Sequence, residues 1–505
     1  MAETALELIT DDNKVREPDA VLIKGPIVPK EAVETDYGNA LRVAFYFGFL
    51  IFFSHLEKVW YCWSGRIWER DDHQSITEKV VQAVRNVLTI EIPWLTELKK
   101  DSKFADLAIP SLDFVSGSLS YAKIRAATGF AQHLLPLKHE LDIHKDLITA
   151  QNCTVDLRNG ESRPHDRNDF LTKIVTVNYT PGALCQGWIA FLERAFPNNP
   201  VGIRFLQKIL GYSLTGHVYE KRFFILWGAT GNNGKSLIIN VINGILGLDL
   251  CSTLASESLV SGRVSAIRSD LAKLKGYRFV AASETDKKYE FNEALIKVLT
   301  GGDRIAARHP HEREIEFAPE LKLFIATNPK PEFTLADEAM MKRVCVIPFF
   351  VSIPESEQNK RLTEELIATE AEGIFAWLVE GAVAWANEGL GDNPFNQDAA
   401  VIVHKQASIS EFVDKCCDTN DRNAKVLASK LLSAFNAYKV FAGDPSPDAT
   451  DKEFSGWLDV AGIKSKRSSV GIQRLGIKLN DFGEKLLAGE VEPKVAESSA
   501  DTNEG

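Results

Sequence analysis

The chain has 505 residues, 45% hydrophobic and 25% charged, which excludes a disordered or fibrous protein and suits roughly three globular domains. Its 58 Lys+Arg against 69 Asp+Glu leave a formal net charge of −11, so nucleic acid cannot be held by bulk charge and any such contact must be a local basic surface. The seven cysteines are scattered, odd in number and without a C-x-x-C pair, the usage of reduced thiols in a cytoplasmic protein.

Residues 1–33 are polar and hold several prolines, the pattern of a flexible arm. The start, MAETALELITDDNK, carries acids where a signal peptide has a basic start and an apolar run. FYFGFLIFF (45–53) is too short to cross a bilayer, so no membrane partner is expected. Residues 34–186 form a mixed α+β region. WYCWSGRIWERDD (60–72) predicts a hairpin about a Ser64-Gly65 turn, Ser75 to about Leu88 a helix, and CTVDLRNGE (153–161) a strand closing on an Asn159-Gly160 turn. In 187–222, Trp188, Phe191, Leu192, Phe205, Leu206, Ile209 and Leu210 fall at helical spacing, predicting packed helices in a collar or linker. In 223–350 the apolar strands 223–227, 278–283, 321–327 and 343–349 alternate with helices, which argues for an α/β sheet covered on both faces. A helix from Leu362 to about Asn387 dominates a lid or linker over 351–404. A small unit spans 405–480, and the acidic residues 481–505 read as a disordered tail.

The strongest chemical signal is FFILWGATGNNGKSLIINVINGIL (223–246), a strand, a Gly-rich turn and a helix opening at Lys235. Gly228, Thr230, Gly231, Asn232, Asn233 and Gly234 would cradle phosphate with backbone N–H groups, with Leu237 in the first helical turn. Lys235 would reach the β- and γ-phosphates of ATP, and the Ser236 hydroxyl would bind Mg²⁺. The usual first glycine of G-x-x-x-x-G-K-[ST] is Ala229 here, and Gly228 stands one residue earlier, so the turn is expected to be reshaped. Glu284 ends the strand RFVAAS and could orient the attacking water and help hold the metal, with Asp286 beside it. Asn328 ends another strand and could touch the γ-phosphate, while Arg343 could reach a neighbouring subunit's nucleotide as an arginine finger. Near the C-terminus, helical patterns precede KSKRSSVGIQRLGIKLN (464–480), where Lys464, Lys466, Arg467 and Arg474 suggest the ribbon of a winged helix lying on DNA phosphates.

With these residues in order, the chain resembles the superfamily 3 helicases and, more narrowly, the phage, plasmid and poxvirus-type primase–helicase C-terminal family. TDYGNALR (35–42), WYCWSGRIW (60–68) and NCTVDLRNGE (152–161) resemble that family's N-terminal domain. LGYSLTGH (210–217), GATGNNGKS (228–236), ASETD (282–286), LTGGDRIAAR (299–308), FIATNPKP (324–331) and KRVCVIPF (342–349) resemble its ATPase core, and EAEGIFAWLVEGAVAW (370–385) the helical segment after it. The resemblance implies a P-loop NTPase core of AAA+ type, an α+β N-terminal domain and a C-terminal winged-helix-like unit. It implies a homo-hexameric ring driven by ATP and Mg²⁺, moving 3′ to 5′ on single-stranded DNA and opening forks in a phage, prophage or plasmid replication system of a bacterial cytoplasm. It also implies a DNA-touching hairpin, here GGDRIAARHPHEREIEF (301–317), with Arg304, Arg308, His309, His311 and Arg313. A primase domain ahead of the helicase is not expected, so a primase or initiator would be a separate partner. An ATP-switched replication initiator and a DNA-packaging or defence ATPase remain the alternatives.

Overall fold

A computed structural model describes residues 25–229, 231–259, 269–283, 292–308, 315–328, 332–333, 338–395, 404–405, 409–421, 424–442, 448–451, 454–455, 458, 463–469 and 471–491. The chain divides into two compact units between Pro181 and Gly182.

In the first unit, α1 (Asp36–Phe47) starts at Thr35, whose Oγ1 accepts from the Gly38 N–H at 3.0 Å. An antiparallel sheet follows: β1 (Ile51–Ser54), β2 (Val59–Trp63) and β3 (Trp68–Arg70). The expected hairpin is therefore present, with Gly65 at φ +93° in its turn. The helix α2 (Ser75–Asn86) runs on through a π-helical stretch, Val87–Glu91, longer than its periodicity suggests. The reason is Glu91, which is buried and takes a bidentate pair of 2.7 Å bonds from Arg42 of α1. A helix α3 (Tyr121–Leu134) packs on α1, and Ala40, Val43, Ile51, Phe53, Trp60, Val80, Ala83, Ala127 and Ala131 join one core. A second antiparallel sheet holds β4 (Leu147–Thr149), β5 (Thr154–Asp156) and β6 (Ser162–Arg163), with Gly160 at φ +77° in the predicted turn. Residues 25–33 correct the expectation of an arm reaching to residue 33: Val28, Ala32 and Val33 are buried with Leu41.

The second unit is mixed α/β around a parallel sheet. Two helices, α4 (Gln186–Ala195) and α5 (Pro200–Tyr212), lead into β7 (Phe223–Trp227), which is buried along its whole length. That burial explains a five-residue apolar run with no alternation. The chain continues through α6 (Lys235–Leu250), β8 (Cys251–Ala255), β9 (Phe279–Ser283), α7 (Glu293–Gly301), an antiparallel pair β10 (Ile305–Ala307) and β11 (Ile315–Phe317), β12 (Lys322–Thr327) and β13 (Val344–Pro348). The sheet order is β13-β7-β12-β9-β8, all neighbours parallel. One face buries Ile225, Val280, Leu323 and Ile325 against Leu295, Ile296 and Leu299 of α7. The 27-residue helix α8 (Leu362–Glu388) packs against α5 and α6.

Beyond it, α9 (Ile409–Cys416), β14 (Lys425–Leu427), α10 (Ala428–Phe441), β15 (Ser465–Ser468) and β16 (Gly471–Leu475) surround a core of Phe412, Leu431, Phe435, Tyr438, Phe454 and Leu458. Their three strands are antiparallel in the order β14-β16-β15. The expected tail is shortened. Residues Asp481–Leu487 form α11, because Asn480 accepts from the Gly483 N–H at 2.9 Å and Leu486 is buried. The seven cysteines are free, six of them buried, and burial pushes the Cys345 thiol up to about 12. Among the described residues no helix is long and apolar enough to cross a membrane.

Candidate functional site

β7, β12 and β9 end at one edge of the sheet: Thr327 is level with Trp227, and Ser283 with Ala326. The Gly-rich loop leaves from that edge. Its first residue is tied down by a bond from the Gly228 N–H to the Thr327 carbonyl at 3.2 Å. A Cβ on Gly228 would lie 1.9 Å from Asn233 Nδ2 and 2.9 Å from the Phe349 carbonyl. The displaced glycine is thereby explained: the steric demand falls on position 228, under the folded-back Asn233 side chain, and position 229 can carry alanine. Asn232 and Gly234 take positive φ, +59° and +92°. At Gly234 a Cβ would also strike the Phe191 ring of α4 at 2.7 Å. From the other side the segment after β13 grips the loop, the Ile353 N–H donating to the Asn232 carbonyl at 3.0 Å and Ser352 Oγ to the Gly231 carbonyl at 3.4 Å.

Lys235 opens α6 and is only 6% exposed. Its ammonium donates to Asn233 Oδ1 at 2.8 Å, Asn328 Oδ1 at 2.8 Å and the Gly228 carbonyl at 3.2 Å. These acceptors are all neutral, and burial lowers the lysine pKa to about 8. A cation in that position, at a helix N-terminus, favours an anion as its next partner. Ser236 is exposed in the first turn beside it, and Leu237 is half-buried. The glycine cradle, the buried ammonium and the open hydroxyl fit a triphosphate and its magnesium ion.

The structure thus brings Gly228, Asn233, Lys235 and Asn328 together, with Gly231, Asn232, Gly234 and Ser236 in the same loop. Thr230, Glu284, Asp286, His309, His311 and Arg313 lie outside the described residues. Arg343 stands just before β13, at the opposite edge of the sheet, about 16 Å along the strand direction from the loop edge at about 3.3 Å per residue. It is half-buried, and its Nε has no hydrogen-bond partner among the described residues. Arg304 and Arg308 flank β10 and are exposed, as are Lys464, Lys466 and Arg467 on and beside β15. Arg474 is corrected. It is 0% exposed and donates to the Ile463 carbonyl at 2.9 Å, the Ser455 carbonyl at 3.0 Å and Ser455 Oγ. The segments at Ser455 and Ile463 enclose its guanidinium, so it clasps the unit and does not face DNA. Phe191, Ser352 and Ile353 had no signal in the sequence, since each reaches the loop from a distant segment. In the first unit, a cleft of about 380 Å³ is lined by acids and arginines that largely pair with one another, Asp156 with Arg158 and Asp169 with Arg163.

A "D5 N terminal like" family model matches residues 46–197, and a model described as a family of unknown function, DUF5906, matches residues 226–343. A provisionally named helicase of Acanthamoeba polyphaga mimivirus is 29% identical over 232 residues, 45% of this chain and 24% of that protein. Another, from Invertebrate iridescent virus 3, is 27% identical over 238 residues, 44% of this chain and 25% of that protein. These matches support the resemblance to the superfamily 3 primase–helicase family. A third such relative, from Sputnik virophage, is 30% identical over 160 residues, 30% of this chain and 20% of that protein. The chain thus spans about a quarter or less of the length of these curated relatives. Among solved structures, the C-terminal region (305–718) of NrS-1 aligns at 13% identity with a TM-score of 0.38, covering 60% of this chain and 78% of that chain.

Proposed function

We propose that this protein is an ATP-dependent DNA helicase of superfamily 3 that works as a homo-hexameric ring on single-stranded and forked DNA, moving 3′ to 5′. The observation that carries the reading is the buried Lys235 ammonium, held among neutral oxygens at a helix N-terminus within reach of Asn328. The core is then a P-loop NTPase of AAA+ type. Lys235 binds the β- and γ-phosphates, and Asn328 reads the γ-phosphate. Glu284, in the segment directly after β9, orients the attacking water. The Ser236 hydroxyl, with Glu284 and Asp286 from the segment after β9, would hold a magnesium ion, which would supply charge neutralisation on those phosphates.

Arg343 sits at the wrong edge of the sheet to touch its own chain's nucleotide. That position supports its use as a finger on the nucleotide of a neighbouring copy, which would require a ring. The exposed Arg304 and Arg308 on either side of β10 suit DNA phosphates, with His309 and His311 in the segment between the strands. Lys464, Lys466 and Arg467 form the basic ribbon of a winged-helix-like unit. The named relatives come from a mimivirus, an iridescent virus and a virophage, so the replicon reads as viral in the broad sense, of which the phage, prophage or plasmid setting in a host cytoplasm is one case.

The test is strand displacement on a forked duplex, with ATP and with a non-hydrolysable analogue. Unwinding should need ATP, Mg²⁺ and Lys235. Sequence-specific DNA binding without displacement would favour the initiator reading, and no nucleotide turnover at all would end both.

A further inference from the structure

The Lys235 ammonium has three N–H donors, and each has an acceptor: Asn233 Oδ1, Asn328 Oδ1 and the Gly228 carbonyl. An incoming phosphate can reach the ammonium only by displacing one of them. The two asparagines are not equivalent. Asn328 is exposed beyond the end of β12. Asn233 is 3% exposed, and its amide fills the space that a side chain on residue 228 would occupy, 1.9 Å from that absent Cβ.

We propose that Asn233 is the permanent positioning residue of the nucleotide loop, its amide oxygen keeping the Lys235 ammonium in place, while Asn328 is the acceptor that yields to phosphate. The proposal rests on the nucleotide-binding reading above and adds a division of labour within that site. Gly228 is then glycine because Asn233 must lie over it. Asn328 leaves the lysine when phosphate arrives, which frees its carboxamide to contact the γ-phosphate. A neutral amide is the right holder. A carboxylate at the same point would bind the ammonium more tightly and compete with the anion it is meant to receive.

The experiment compares Asn233→Ala and Asn233→Asp in the full chain, measuring ATP affinity by titration calorimetry and unfolding by heat. Asn233→Ala should weaken ATP binding about tenfold, through loss of one hydrogen bond on a charged group. Asn233→Asp should weaken it further, about a hundredfold, while unfolding at the same temperature as Asn233→Ala or higher. The variant with the better-held loop then binds nucleotide worse. A merely structural role predicts the reverse order, so an Asn233→Asp protein that binds ATP more tightly than Asn233→Ala overturns the proposal. Lys235→Ala, run alongside, separates the two ideas: undiminished ATP affinity there would sink the nucleotide-binding reading itself.

Discussion

Two buried cations, Lys235 and Arg474, meet the same physics with opposite consequences. Lys235 is 6% exposed, is held by two side-chain amides and one carbonyl, and stands at a loop edge beside the exposed Asn328 and Ser236. Arg474 is 0% exposed, and its donors go to the Ile463 and Ser455 carbonyls and the Ser455 hydroxyl within its own small unit. The first has one exposed acceptor, Asn328, which the proposal above has yield to phosphate. The second is enclosed by the segments it joins. A buried charge therefore marks a site only where an acceptor can be replaced; otherwise it is a fastening.

The comparison can be broken most directly at Lys235. Lys235→Ala should lower ATP turnover by about a thousandfold, the scale of losing a charged group from a phosphate-transfer site, measured by phosphate release, while leaving the fold intact by circular dichroism. Arg474→Ala should do the converse. It should destabilise the C-terminal unit by about 3 kcal/mol, the cost of breaking a buried charged network, seen in urea unfolding. DNA-independent ATP turnover should stay at the wild-type rate; a loss of turnover equal to that of Lys235→Ala would erase the distinction.

A pH series sharpens the same contrast. The folded Lys235 pKa lies near 8, below its ordinary 10.5. ATP affinity should therefore fall as pH rises through about 8, by up to about tenfold per unit until the pKa of the bound state is reached. Fold stability should move the other way. Between about pH 8 and 10.5 the unfolded chain binds more protons at this residue, so the contribution of Lys235 to stability becomes more favourable as pH rises. Lys235→Met should remove both trends, measured by calorimetric binding and by thermal unfolding across pH 7–10. The smallest effect belongs to the exposed ribbon. Lys466→Ala or Arg467→Ala should weaken DNA binding a few-fold and lower the slope of log affinity against log salt by about one, with no change in unfolding temperature.

Much of this architecture was legible before any coordinates. The apolar runs at 223–227, 321–327 and 343–349 predicted strands, and they are strands of one parallel sheet. The hairpin at 60–72 and the turn at Asn159-Gly160 were readable because turn chemistry is local, and both glycines have positive φ. The loop before Lys235 was readable because its residues are contiguous. The arm and the tail were misjudged at 25–33 and 481–487, where a polar composition hid Val28, Val33 and Leu486, whose burial depends on partners elsewhere in the chain.

By itself the sequence determined which segments become strands and helices and where a phosphate loop could form, because backbone hydrogen bonding, side-chain periodicity and turn sterics act over a few neighbouring residues. Only the tertiary structure decided that Asn328 meets Lys235 across 93 residues of chain, that Phe191 closes the space over Gly234, and that Arg474 turns inward while Lys466 and Arg467 stay outside. A side chain's burial and its acceptors are set by whichever distant segments pack around it, and that is information no local window of residues contains.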